Sequence, residues 1–191
     1  QWLQNPVQNS RRLAGDLVMK AFLNSLARGG RLHPLANPAS HGVKLIKDVP
    51  YLDSGSKYHT LDIYIPSHSD GPRPVAIYIH GGAFRFLSKE THWVMALGFA
   101  RQGFTVFNIN YRLAPKHRFP AALEDAAEAL QWVAKHAPQY EGDPSRIVLA
   151  GESAGGNLVT ALSIATSYPQ KEAWGKRLWG SGIRPAAVVA N

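Results

Sequence analysis

Hydrophobic residues change their spacing as the 191-residue chain proceeds. Between positions 9 and 28, Leu13, Leu17, Met19, Ala21, Leu23 and Leu26 recur at roughly helical intervals, and the run stops at Gly29 and Gly30. One amphipathic helix is predicted there. Residues 31–42, with Pro34, Pro38 and Gly42, read as a linker. The period then changes. Apolar and polar positions alternate over 43–49 and 61–65, the signature of strands, with the turn-forming Asp53-Ser54-Gly55-Ser56 between them. Short, nearly continuous apolar runs at 75–79 and 105–109 suit strands covered on both faces, and 147–150 and 186–190 read as further strands. Helical spacing separates them at 93–101, at 120–136, where Leu123, Ala127, Leu130 and Ala134 share a face, and at 155–165.

Strands and helices that alternate in this way, after an antiparallel-looking start, predict an α/β fold with a mostly parallel sheet flanked by helices. The chain divides into an N-terminal segment and linker, 1–42, and an α/β core, 43–191. Hydrophobic residues make up 45% and charged residues 18%, the balance of a folded chain. With no cysteine, disulfides, thiolate metal sites and a Cys nucleophile are excluded. No apolar run approaches the ~18 residues of a membrane span. The opening residues lack a basic stretch followed by an apolar one, so a cytoplasmic location is expected. The net charge of +8 comes from 21 Lys and Arg against 13 Asp and Glu. Those cations are scattered, with Arg11-Arg12 and Lys176-Arg177 the only adjacent pairs. This favours a solvated surface over a nucleic-acid partner. Neither a metal-ligand spacing nor a phosphate-binding loop occurs, so no metal and no cofactor are expected.

Two segments carry candidate chemistry. Gly151-Glu152-Ser153-Ala154-Gly155 matches G-x-S-x-G and lies between a predicted strand and a predicted helix. A nucleophile elbow requires that context, because a sharp turn must lift Ser Oγ above the sheet. Ser153 would then stand at a helix N-terminus, where N–H groups and the dipole favour a developing anion. The second segment, His80-Gly81-Gly82-Ala83-Phe84, follows the strand at 75–79. Its backbone N–H groups, with that of Ala154, could meet a substrate carbonyl oxygen. His80 precedes the serine on another strand and reads as a structural residue of this loop. Asp125 and Arg146 read as structural by position. Phe84, Phe86, Leu87 and Trp93 follow the loop and are candidates to line a substrate pocket. Trp2, Phe22 and Leu26 are candidates for a lid, and ordinary packing explains any one of these residues equally well.

Together with Tyr111-Arg112-Leu113-Ala114-Pro115, the stretch from Phe119 to Ala126, and Gly142-Asp143-Pro144-Ser145-Arg146, these motifs resemble the hormone-sensitive-lipase-like family of α/β-hydrolases. The resemblance covers about residues 43–191 in order and spacing, and the N-terminal helix is similar to part of that family's cap. It implies a cofactor-free serine carboxylesterase acting on short- to medium-chain acyl esters. Ser153 would be the nucleophile and the N–H groups of Gly82, Ala83 and Ala154 the oxyanion hole, with Gly81 shaping the loop.

The sequence departs from that pattern at several places. Ala83 stands where a third Gly is usual, Glu152 where Asp or Thr is commoner, and Lys116 and Arg118 where the family has Glu and Pro. The family's triad also runs Ser, Asp or Glu, then His along the chain. After Ser153 there is one acidic residue, Glu172, and no histidine. His92 and His117 lie upstream, close to the motifs but outside the family's base position. Six strands are predicted where the fold usually has eight. The resemblance therefore implies that Asp and His come from outside these residues, on a second polypeptide or a missing part of the fold. Two other readings stay open. The family is similar to plant gibberellin receptors, which bind a ligand without a functional catalytic His. An inactive fragment is the remaining possibility.

Overall fold

In the computed structural model, residues 33–68 and 71–191 are described, with Gly15, Val18, Met19, 21–23, Ser25, Gly29 and Gly30 ahead of them. Those earlier positions are helical; the spacing predicts this up to residue 28, whereas Gly29 and Gly30, expected to end the helix, are helical too. Phe22 is exposed; Trp2 and Leu26 lie outside the described residues. Two short 3-10 turns, Pro34–Ala36 and Pro38–His41, occupy the predicted linker, each opened by a proline whose fixed φ suits a first helical position.

Six strands form one sheet: β1 (Val43–Pro50), β2 (Thr60–Pro66), β3 (Arg73–Ile79), β4 (Thr105–Ile109), β5 (Gly142–Gly151) and β6 (Ala187–Ala190). Their spatial order is β1-β2-β4-β3-β5-β6. The pairs β1/β2 and β2/β4 are antiparallel, and β4/β3, β3/β5 and β5/β6 are parallel. Parallel neighbours need crossovers, and four helices supply them: α1 (Trp93–Arg101), α2 (Ala121–His136), α3 (Ala154–Ser167) and α4 (Ala173–Gly180).

Strand alternation assigns each residue to one of two cores. Ile63, Ile77, Ile79, Phe107, Ile109, Ile147 and Leu149 pack with Leu130 and Val133 of α2, Leu158 and Leu162 of α3 and Leu178 of α4. Tyr64, Ala76, Tyr78, Val106 and Ala150 face the other way, onto Ala96, Leu97 and Ala100 of α1. Each fully buried Leu, Ile or Phe contributes ~1.5–3 kcal/mol by leaving water.

One buried charge fixes the segment that follows β3. Lys89, 1% exposed, places Nζ 2.7 Å from Asp62 Oδ1, 2.7 Å from Asp48 Oδ1 and 2.8 Å from Glu90 Oε1. Burial alone would lower its pKa, but the surrounding carboxylates outweigh that and raise it, so the ammonium persists. The Lys89 N–H also donates to Asn110 Oδ1 at 2.8 Å, and Asn108 Nδ2 donates to Lys89 O at 2.9 Å. A loop of this length is thereby tied to β2 and β4 beneath it.

Candidate active site

Ser153 stands where β5 turns into α3. Its φ of 52° and ψ of −115° lie outside the ordinary regions for a side-chain-bearing residue, the kind of strain that persists only when neighbouring structure enforces it. The enforcement is visible on both sides. Ser153 N–H donates to Asn191 O at 2.6 Å, and Asn191 N–H donates to Gly151 O at 3.1 Å. Gly155 N–H closes the turn onto Glu152 O at 2.8 Å. A Cβ at Gly155 would fall 1.9 Å from Ile79 O, so only glycine lets α3 start this close to β3. The serine is exposed, and its Oγ has no hydrogen-bond partner among the described residues.

The loop after β3 lies against this elbow. Gly82 has a φ of 107°, and a Cβ on it would collide with Phe86 O at 2.3 Å. Ala83 and Phe84 follow at φ values of 52° and 59°, both left-handed. The turn is closed by Arg85 and Phe86 N–H groups donating to Gly82 O, each at 2.9 Å. Among the described residues, the N–H groups of Gly82, Ala83 and Ala154 donate to no protein acceptor. Gly81 differs. Its N–H donates to Glu152 Oε1 at 2.5 Å, which ties the loop to the elbow.

Glu152 gathers further donors: the Tyr78 hydroxyl, and His92 Nε2 at 2.7 Å. Burial would raise this carboxyl, but the hydrogen bonds from His92, Tyr78 and Gly81 prevail and hold it at about 2. His92 is thus engaged one residue short of Ser153. His80 is 1% exposed, stacked on Tyr111 with ring centroids 4.3 Å apart. Its Nδ1 lies 2.7 Å from Gly81 O and therefore carries the proton. Burial lowers its pKa to about 4, and it is a neutral support beneath the loop. Asp125 is buried and accepts from Arg112 N at 2.8 Å and Arg112 Nε at 2.9 Å, while Arg146 bonds Asp143 Oδ2 and Pro72 O. Both are structural, as their positions suggest.

Beside the elbow lies a cavity of about 390 Å³. Ala83 and Phe84 of the loop, Asn157 and Leu158 of α3, Ala122 and Leu123 of α2, and the 112–119 segment line it. Of the four residues expected to line a pocket, Phe84 does so. Phe86, Leu87 and Trp93 do not: Leu87 packs under Gly82, Arg85 covers the Phe86 ring, and Trp93 joins the α1 core. The turn at Gly82 sends these side chains away from the cavity, a reversal that residue spacing does not reveal. His117 reaches the lining instead, edge-on to Tyr58.

A sequence profile of the family described as alpha/beta hydrolase fold matches residues 76–179. The chain belongs to the α/β-hydrolase fold family. Its relatives include hormone-sensitive-lipase-like carboxylesterases. Carboxylesterase NlhH of Mycobacterium tuberculosis is 40% identical over 103 residues, which is 53% of this chain and 32% of that protein. Hormone-sensitive lipase of Mus musculus is 33% identical over 148 residues, 75% of this chain and 20% of that protein. The solved structure of a hyperthermophilic esterase from the archaeon Pyrobaculum calidifontis superposes with a TM-score of 0.63 at 31% identity, covering 80% of this chain and 48% of that one. This α/β-hydrolase chain thus spans a third or less of these two curated relatives. No helix among its described residues is long and apolar enough to cross a membrane.

Proposed function

We propose that the chain carries the nucleophile and oxyanion hole of a serine carboxylesterase for short- to medium-chain acyl esters, with the catalytic Asp and His supplied from outside these residues. The observation that supports this most is the set of free N–H groups on Gly82, Ala83 and Ala154, held on strained backbone next to Ser153 and the cavity. Backbone left-handed at Ala83 and Ser153 costs stability and is worth keeping where it aims groups at a reacting atom.

In the proposed reaction Ser153 Oγ attacks the ester carbonyl carbon and its proton passes to the base. The carbonyl oxygen becomes an oxyanion held by the three N–H groups, each worth about 10²–10³ in rate. Collapse expels the alcohol, which takes the proton from the base and leaves an acyl group on Ser153. Water, giving its proton to the same base, then attacks the acyl carbonyl; the bond to Ser153 Oγ breaks, Oγ recovers the proton from the base, and the acid is released. Glu152, ionised across the ordinary pH range, and neutral His80 shape the site without exchanging protons.

The test is hydrolysis of p-nitrophenyl butyrate by the full-length protein and by its Ser153→Ala variant. A fall of roughly 10³-fold or more is expected. Retained turnover would overturn the assignment. A second reading, ligand binding without turnover, is favoured by the lack of a partner for Ser153 Oγ among the described residues; saturable butyrate-ester binding with no product from the unsubstituted protein would select it.

A further inference from the structure

The mechanism above leaves Glu152 unused, although its carboxylate is the most heavily bonded group near Ser153. It receives Gly81 N–H, the Tyr78 hydroxyl and His92 Nε2. These donors come from the oxyanion loop, from β3 and from the turn ahead of α1, so one side chain on the elbow ties the elements around the site together. We propose that Glu152 is a positioning residue for the oxyanion hole, which fixes the Gly81 peptide and through it the direction of the Gly82 and Ala83 N–H groups. The proposal rests on the esterase reading of Ser153.

Gly81 immediately precedes the two loop donors, and a Cβ built on it would lie 2.8 Å from both Glu152 O and Glu152 Oε1. The loop and the elbow side chain are therefore in closest contact where the donors begin. Loss of the Gly81 hydrogen bond frees the loop at that point. A carboxylate offers about four lone-pair sites and no donor, which suits three incoming donors. Glutamine in its place presents one acceptor oxygen and an NH₂ group that opposes one of them. Aspartate keeps the charge but is one methylene shorter, and it cannot span to all three.

The sign of the effect separates positioning from simple electrostatics. A negative charge near a developing oxyanion opposes it, so removing that charge alone would leave kcat unchanged or raise it. If Glu152 instead aims the donors, Glu152→Gln lowers kcat, because a displacement of about 1 Å in a catalytic group costs on the order of 10²-fold.

In the full-length protein, with p-nitrophenyl butyrate, Glu152→Gln is expected to lower kcat roughly 10- to 100-fold while KM stays within about threefold. Glu152→Asp should fall between it and the unsubstituted protein. The Gly81 amide proton, read by NMR, should move upfield in Glu152→Gln as its carboxylate bond is lost. Unchanged or raised kcat, a KM effect alone, or an unmoved Gly81 amide would each overturn the proposal. Should Glu152→Gln not fold, Tyr78→Phe removes one of the three donors at nearly constant volume. A several-fold loss in kcat at constant KM then supports positioning, and an unchanged kcat refutes it. Ser153→Ala, run alongside, reports separately on the esterase reading: turnover that survives it removes that reading, whatever Glu152 does.

Discussion

Adding a single methyl group at Gly155 tests how tightly the elbow is built. A Cβ there would sit 1.9 Å from Ile79 O, 2.8 Å from Ile79 C and 2.9 Å from His80 O. All three are backbone atoms in or next to a fully paired central strand, so no side chain can rotate aside. To restore ordinary contact, α3 must back away from β3 by more than about an ångström, which opens the interface that buries Leu158 and Leu162. Overpacking of this kind costs about 3 kcal/mol or more, a large share of the ~5–15 kcal/mol that separates folded from unfolded domains. Gly98 is the internal control. It lies in α1 with nothing within 4 Å of the position its Cβ would take. Alanine there gains ~0.5–1 kcal/mol through helix propensity alone. In urea denaturation, with a slope of about 2 kcal/mol per molar, Gly155→Ala should lose about 1.5 M in midpoint or fail to fold. Gly98→Ala should gain roughly 0.3–0.5 M. A Gly155→Ala protein with an unshifted midpoint would refute the close-approach argument.

Other consequences can be checked as directly. His80 has its pKa depressed by burial from 6.5 to about 4, so the folded state binds fewer protons than the unfolded chain between those values. Its contribution is full above pH ~6.5, is lost as pH falls through about 4, and totals about 3 kcal/mol. Unfolding free energies measured from pH 7 to pH 4 should show that decline, and His80→Gln should flatten it; the same slope in the variant would refute the assignment. Glu152, held at about 2, adds its own loss only below its ordinary 4.5. At the cavity, Ala122→Trp fills space between α2 and the loop. Longer acyl esters should then lose at least about tenfold in kcat/KM relative to acetate. Equal losses at every chain length would mean that the acyl group lies elsewhere.

Much of this architecture is legible in residue order. The helix at 93–101 is found at Trp93–Arg101 and the strand at 105–109 at Thr105–Ile109, because both have apolar runs bounded by clear breakers. β5 begins earlier than its apolar run, at Gly142, since Gly142 and Asp143 pair with Arg73 and Pro74 of β3 ahead of an irregularity in register. No apolar signal marks such backbone pairing. α4 escapes the pattern because it is short and carries glycine at Gly175 and Gly180; its only cue is Trp174 and Leu178 at i and i+4, both buried. The turn at Ser153 and the loop after β3 are legible because their glycines and spacing encode backbone shape. The cavity lining and the Glu152 bonds are not, since they depend on where the Gly82 turn sends the chain and on which strands become neighbours.

The Ser153 amide is held by Asn191, a residue that reaches it only after β6 has docked beside β5. During synthesis β5 and α3 emerge well before that residue, at ~5–20 residues per second. For an interval on the order of seconds, the serine is present but the turn that strains it has no clamp. Clamping of the elbow is therefore a late event in the maturation of this chain, timed by the docking of β6 on β5 rather than by the appearance of the serine.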